Sequence, residues 1–127
     1  MPINSEVAGS VSDVRVRPED VSAAAVLFRG LADPTRLLIL RQLACGEQRV
    51  VDLTVHLGLV QSTVSSHLAC LRDCGLVTMR PQGRASVYSL AHPEVIDLFS
   101  AAERLLTATG DAVSLCPVYG KTEEEGS

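Results

Sequence analysis

The sequence is poor in aromatic residues, with no tryptophan and only two phenylalanines and two tyrosines among 127 residues. Hydrophobic residues still make up 46% of the chain, so a core must be built from leucine, valine, isoleucine and alanine. A chain of this length is expected to form one domain with a modest core.

The sequence also has no long apolar run and no secretory leader pattern. No stretch approaches the roughly 18 residues of a membrane span, and no basic start is followed by an apolar run and a small-residue cleavage site. We therefore expect a cytoplasmic protein with no membrane partner. In that reducing compartment the cysteines are expected to be thiols or metal ligands rather than disulfides.

Motifs of common enzymes are missing as well. The sequence contains no nucleophile elbow, phosphate-binding loop or His-Glu metal motif, so an enzyme is the least favoured class. The net charge of −4 argues against an indiscriminate nucleic-acid binder. However, residues 34–90 carry six arginines against three acids, a local net charge of +3, while the acids lie toward both ends. This distribution favours a middle region that contacts phosphate.

The pattern divides the chain into an arm, a domain and a tail. Residues 1–17 show no sustained apolar period and are expected to be a flexible arm, residues 18–110 a folded domain, and residues 111–127 a tail. The first helix is expected to begin at Pro18 and to have an apolar face that includes Val21, Phe28 and Leu31. Asp33 and Pro34 are a typical cap and first residue for the second helix.

A helix-turn-helix is predicted from Val50 to Gly75. A short helix ends at Gly58, and a second helix is expected from about Ser62, as its N-cap, to Cys74. Val64, Leu68 and Leu71 then lie on one stripe that would face the core. Small or hydrogen-bonding side chains cover the rest and are the candidate DNA contacts: Gln61, Ser62, Thr63, Ser65, Ser66 and His67. An ordinary helical bundle is the alternative interpretation of this pattern.

After Gly75 the apolar period changes from 3.6 to 2, which predicts a two-stranded hairpin with a turn at residues 81–84. Arg80 and Arg84 would lie at its tip, where a wing grips phosphate or reaches the minor groove. The last helix, from after Pro93 to about Thr109, has a wide apolar face that suggests a homodimer contact. The expected fold is mainly α with a small β-hairpin: a dimeric winged helix-turn-helix.

Cys70 and Cys74 are four residues apart on the second helix of this motif, so their side chains lie on one flank. Two thiolates at this spacing can form half of a soft-metal site, although such a pair is also found as ordinary packing. Cys116 in the tail is the candidate third ligand, because a thiol in a tail is an oxidation liability unless it serves reactivity or coordination. Three sulfurs favour Cd(II) or Pb(II), with As(III), Zn(II) or Cu(I) also possible.

These segments resemble the ArsR/SmtB family of winged-helix metal-responsive repressors. The resemblance covers about residues 32–90: Leu31 to Arg36 is similar to the family's second-helix signature, Gln61 to Leu76 to its recognition helix, and Gly83 to Leu90 to its wing. HLACLRDCGLV is similar to the actinobacterial cadmium and lead sensors of the family. That resemblance implies Cys70, Cys74 and Cys116 as metal ligands, double-stranded operator DNA as partner, and release from DNA on metal binding.

Two departures from other members narrow the choice of metal site. The cysteine pair that the arsenic and cadmium members carry before the turn is absent from Arg49 to Leu53, and the last helix lacks the His and acid pairs of zinc, nickel and cobalt sensors. The rival hypotheses are a redox-sensing regulator of the same fold, in which the thiols oxidise, and a cytoplasmic metal buffer that does not bind DNA.

Overall fold

A computed structural model describes residues 15–115 of the chain. Within this range the chain forms five helices and three strands in the following order: α1 (Pro18–Leu31), α2 (Pro34–Leu43), β1 (Gln48–Arg49), α3 (Val50–Leu57), α4 (Gln61–Asp73), β2 (Val77–Gln82), β3 (Ala85–Leu90) and α5 (Glu94–Ala108). The predicted mainly α fold with a small β-hairpin is confirmed. None of the helices in residues 15–115 is long and apolar enough to cross a membrane.

Short polar caps and glycines set the helix ends. Asp33 caps α2, because its Oδ1 accepts hydrogen bonds from the backbone N–H groups of Thr35 (2.8 Å) and Arg36 (3.1 Å). Gly58 and Gly75 adopt left-handed conformations after α3 and α4, with φ of 68° and 78°. The predicted cap at Ser62 is wrong, since Val60 is the N-cap of α4 and makes no side-chain cap hydrogen bond. Ser62 is instead the second residue of the helix.

The sheet has three strands rather than the two predicted. β3 lies in the centre, paired antiparallel with β2 on one side and with β1 on the other, where Gln48 pairs with Tyr88 and Arg49 with Val87. A two-residue strand carries too little alternation to be found from sequence. The hairpin turn is also shorter than expected, because Pro81 and Gln82 belong to β2 and pair with Ser86 and Ala85.

The core is aliphatic, as the composition predicts, with one phenylalanine added. It joins α2, α3, α4, the start of the hairpin and α5, and its buried members are Ile39, Leu40, Leu43, Leu53, Val64, Leu68, Leu71, Leu76, Val77, Val95 and Phe99. The helix-turn-helix and the sheet therefore share one packed unit.

Helix α1 does not bury the face that its apolar pattern predicts. Val21 and Phe28 are each 57% exposed and Val26 is 49% exposed, and Gly30 is the buried residue of this helix. Leu27 and Leu31 pack partly against the core. The predicted apolar face exists, but in a single chain it is open.

Candidate DNA-binding and metal-binding site

Helix α4 is held by its inner stripe and offers its outer side to solvent. Val64, Leu68 and Leu71 are completely buried, whereas Gln61, Ser62, Ser65 and Ser66 are exposed and Thr63 is half-buried. Helices α3 and α4 pack as a pair joined by a three-residue turn, the arrangement of a helix-turn-helix. The DNA contacts predicted for the exposed side of α4 stay a prediction.

His67 is placed differently from the other predicted DNA contacts. Its Nδ1 accepts a hydrogen bond from Nε of Arg36 at 3.1 Å, and its Nε2 lies 3.9 Å from Oδ1 of Asp33. Backbone hydrogen bonding by Arg36 is the main cause that lowers the pKa of Asp33, and His67 and the Arg36 charge add to it. The ring thus connects α4 to the start of α2, and its DNA contact stays a prediction.

The two wing arginines have different surroundings. Arg84 lies exposed in the Gly83–Arg84 turn. Arg80 is engaged by Glu47, with Nε 3.4 Å from Oε2 and a second, shorter contact from Nη2 to Oε1. The hydrogen bond to Glu47 raises the pKa of Arg80. Arg80 is thus paired within the protein whereas Arg84 is not shown in such a pair within residues 15–115, and the DNA contacts of both arginines stay a prediction.

A groove of 310 Å³ connects the wing to the helix-turn-helix and brings together two predicted site residues, Gln61 and Arg84. Arg49, Ser86 and Tyr88 line the same groove and were missed by the sequence analysis. The guanidinium of Arg49 is held by Asp52 through two hydrogen bonds of 3.2 Å. The i to i+3 spacing of these two residues at a helix start was the signal that could have found this pair.

Cys70 and Cys74 lie on the last turn of α4. Cys74 is the C-cap and still has right-handed helical geometry, and its N–H donates to the carbonyl oxygen of Cys70 at 3.0 Å. The i to i+4 row is therefore preserved, with Cys70 half-buried and Cys74 exposed. Cys74 also touches α1: a β-carbon built on Gly30 would lie 3.4 Å from Sγ of Cys74.

The donor set for a metal is incomplete within the described part of the chain. No group of three or more His, Cys, Asp or Glu side chains in residues 15–115 could hold a metal ion. The two thiols of α4 fit half of a soft-metal site. Cys116, the predicted third ligand, lies outside the described residues.

The chain matches known transcriptional regulators in sequence. Residues 33–79 match the family described as bacterial regulatory protein, arsR family. The chain is 38% identical over 110 residues to the probable mercury resistance operon repressor of Streptomyces lividans. This alignment covers 87% of this chain and 88% of that protein. The chain belongs to the ArsR family. The predicted resemblance is confirmed.

Two further matches describe this ArsR-family chain more closely. It is 53% identical over 70 residues to the HTH-type transcriptional regulator CmtR of Mycobacterium bovis, an alignment that spans 55% of this chain but only 59% of CmtR. The structure resembles the homodimeric winged helix-turn-helix DNA-binding domain of a possible ArsR-family regulator from Mycobacterium bovis, at a TM-score of 0.63 and 31% identity over 68% of this chain and 81% of that one. The winged helix-turn-helix fold and a transcriptional regulator rather than an enzyme are thereby confirmed.

Proposed function

We propose that this ArsR-family chain is a homodimeric repressor in the cytoplasm that binds operator DNA when metal-free and is released when Cys70, Cys74 and Cys116 bind Cd(II) or Pb(II). The observation that carries the proposal is the position of the two cysteines on the recognition helix. They lie on the same helix as Ser62 and Ser66. A metal ion that binds both sulfurs therefore acts directly on the element that would face DNA.

The contact between α4 and α1 provides a mechanical route. Cys74 packs beside Gly30 of α1, and α1 carries the exposed apolar residues that a second subunit would cover. A change in the position of the Cys74 thiol therefore moves α4 relative to the proposed dimer contact. A dimer holds two recognition helices at one spacing, and a shift in that spacing weakens binding to two half-sites.

The energy required is within the range of thiolate coordination. Moving the operator from 99:1 bound to 1:99 bound requires a coupling of about 5.5 kcal/mol between metal and DNA. Structural Zn(II) sites in zinc-finger peptides, for comparison, bind with apparent free energies of roughly 10–16 kcal/mol at pH 7. The metal has therefore enough binding free energy to supply the coupling.

The test is an operator titration of the full-length protein with and without metal. Saturating Cd(II) should reduce operator affinity about ten-thousandfold, the factor that corresponds to this coupling, and the Cys70→Ser and Cys74→Ser variants should bind DNA normally without metal but fail to respond. Cys45→Ser is the matched control, because Cys45 is an exposed thiol on another helix end. Unchanged operator affinity with saturating Cd(II) and Pb(II) would remove the proposal. Hg(II) belongs in the series because the Streptomyces lividans relative carries mercury resistance in its name.

The exposed Cys74 thiol also supports the redox alternative, in which oxidation rather than a metal releases the DNA. A titration with peroxide in the presence of a chelator separates the two. Release by peroxide together with no response to Cd(II) in reductant would favour the redox regulator.

On the DNA side, the wing arginines offer a paired comparison. Arg84→Ala should weaken operator binding and reduce the slope of log affinity against log salt by about one, as expected for one lost phosphate contact. Arg80→Ala should have the smaller effect, because Glu47 already neutralises that guanidinium. Equal losses from the two substitutions would show that the Glu47 pair opens on DNA.

A further inference from the structure

His67 differs from the residues beside it on the polar side of α4, because its ring is engaged by another helix. Its side chain is only 21% exposed, whereas Ser65 and Ser66, directly before it, are exposed. The ring is hydrogen-bonded to Arg36 in the first turn of α2. A side chain of the helix predicted to face DNA is thus used for a contact between helices.

The chemistry of the two groups fixes the form of this contact. A guanidinium has donors and no acceptor. The Nδ1 atom of His67, which receives Nε–H of Arg36 at 3.1 Å, must therefore present a lone pair. The proton of the neutral ring is then on Nε2, which lies 3.9 Å from Oδ1 of Asp33. Both ring nitrogens of His67 are accordingly matched by side chains at the start of α2.

Arg36 extends the contact to α1. Its Nη1 lies 3.5 Å from the carbonyl oxygen of Gly30 in the last turn of α1. One planar group therefore joins the end of α1, the start of α2 and the middle of α4. Arginine suits this position because its donors are held in a fixed fork. The orientation of α4 on α1 and α2 thus depends on this guanidinium in addition to the core packing.

The end of α4 touches the same residue of α1. A β-carbon built on Gly30 would lie 3.4 Å from Sγ of Cys74. His67 and Cys74 are seven residues apart, which is about 10 Å along a helix that rises 1.5 Å per residue. Contacts at two separated points resist a change of tilt between two helices, which a single contact does not.

We propose that Arg36 and His67 form a positioning contact that sets the tilt of α4 on α1 and α2 and thereby the strength of operator binding. This inference rests on the proposed DNA-binding function and is independent of the proposed metal site. The effect on DNA is exerted through the position of α4, and it requires no contact between Arg36 and a phosphate.

The test uses matched substitutions in the full-length, metal-free protein, with operator affinity as the measurement. His67→Ala removes the acceptor, whereas His67→Asn keeps an acceptor oxygen next to Cγ, where Nδ1 lies. Arg36→Lys keeps the positive charge but loses the planar fork. Arg104→Ala, at an exposed position of α5, controls for the loss of one charge. We expect His67→Ala and Arg36→Lys to weaken operator binding by roughly threefold to thirtyfold, while His67→Asn retains most of the affinity and Arg104→Ala matches the wild type.

A double-mutant cycle separates a shared contact from two independent DNA contacts. If the two side chains act as a unit, His67→Ala combined with Arg36→Lys should lose no more affinity than either change alone. The slope of log affinity against log salt should be the same in Arg36→Ala as in the wild type, because no phosphate contact is removed. Additive losses in the cycle, or a slope reduced by about one in Arg36→Ala, would overturn the proposal.

Operator geometry separates positioning from general stability. Affinities are measured well below the melting temperature of each variant, so that all of the protein is folded. The preference of the wild type for one spacing between half-sites should weaken in His67→Ala and Arg36→Lys and persist in His67→Asn. An unchanged spacing preference in the two weakened variants would reject the positioning role. If His67→Ala does not fold, Arg36→Lys compared with His67→Asn carries the same test.

The outcomes also distinguish the inference from the function on which it rests. If the wild type binds no operator DNA, both proposals are wrong. If the wild type binds and His67→Ala and Arg36→Lys bind as tightly, the DNA-binding function stands and the positioning role of Arg36 and His67 is excluded.

Discussion

Helices α1 and α4 are similar in length, 14 and 13 residues, and both have an apolar stripe, yet they end up in opposite environments. In α4 the stripe of Val64, Leu68 and Leu71 is completely buried. In α1 Val21 and Phe28 remain more than half exposed. The DNA-facing unit is therefore complete within one chain, whereas α1 needs a partner to bury its apolar face, and a second copy of this chain is the partner we propose.

The largest expected effect is on the free energy of unfolding, and it compares a buried residue of α4 with an exposed residue of α5. Leu68→Ala should reduce the free energy of unfolding by about 2–5 kcal/mol, because it leaves a cavity in a completely buried position. Leu105→Ala, at a position 66% exposed on α5, is the control and should change the stability of the single chain by less than about 0.5 kcal/mol. Chemical denaturation at a fixed protein concentration measures both, and equal losses would mean that α5 is buried by a partner under those conditions.

The second prediction concerns the open face of α1. Phe28→Ser should raise the dissociation constant of the dimer by roughly tenfold to a hundredfold, since each subunit loses part of the burial of one aromatic ring. The fold of the isolated chain should persist, because Phe28 contributes little to its core. Sedimentation at several concentrations together with circular dichroism checks the two statements separately. A dimer of unchanged affinity would place the interface elsewhere.

A third substitution tests the contact between the two helices. Gly30→Ala should stabilise α1 by up to about 1 kcal/mol, since alanine is the better helix former. It should also weaken Cd(II) binding, because the new methyl group would lie 3.4 Å from the Cys74 sulfur and restrict its movement. The measurement is a thermal melt alongside a metal titration. Tighter or equal metal binding would show that Cys74 does not move toward α1 on coordination.

The smallest effect is expected from Asp33, which lies between α1 and α2 and caps α2. Hydrogen bonds from the backbone N–H groups of Arg36 and Thr35 help to lower the pKa of Asp33 below its ordinary value of 3.8. The folded state therefore prefers the carboxylate, and its contribution is fully present above pH 3.8 and is lost as pH falls through the lowered pKa. Asp33→Asn keeps a capping oxygen but removes this charge, so its melting temperature should fall less steeply on acidification than that of the wild type. Parallel pH dependences would assign the acid sensitivity to other carboxyl groups.

Sequence reasoning located α4 and its apolar stripe because that stripe is buried by other residues of the same chain. The same reasoning found the apolar pattern of α1 but not what covers it, because pattern alone does not say which molecule covers a face. The two-residue strand β1 and the Arg80–Glu47 pair could not be predicted, since both depend on segments more than thirty residues apart meeting in the fold. The burial of Glu103 on α5 could not be predicted for a related reason. An acid on a helix is expected to face water, and the backbone N–H of Leu115 that donates to this carboxylate lies in the chain beyond the helix.

Strand β1 has a consequence for operator choice. Arg49 ends the strand and is at the same time the N-cap of α3, so no loop separates the sheet from the helix-turn-helix. A rotation of the hairpin would therefore either turn α3 with it or break the two-residue pairing of β1 with β3. If α4 and the hairpin tip contact DNA as proposed, this short connection fixes the distance between the bases next to α4 and the phosphate next to the hairpin tip. We therefore expect the protein to bind a DNA site with one base pair inserted between these two contacts much more weakly than the original site.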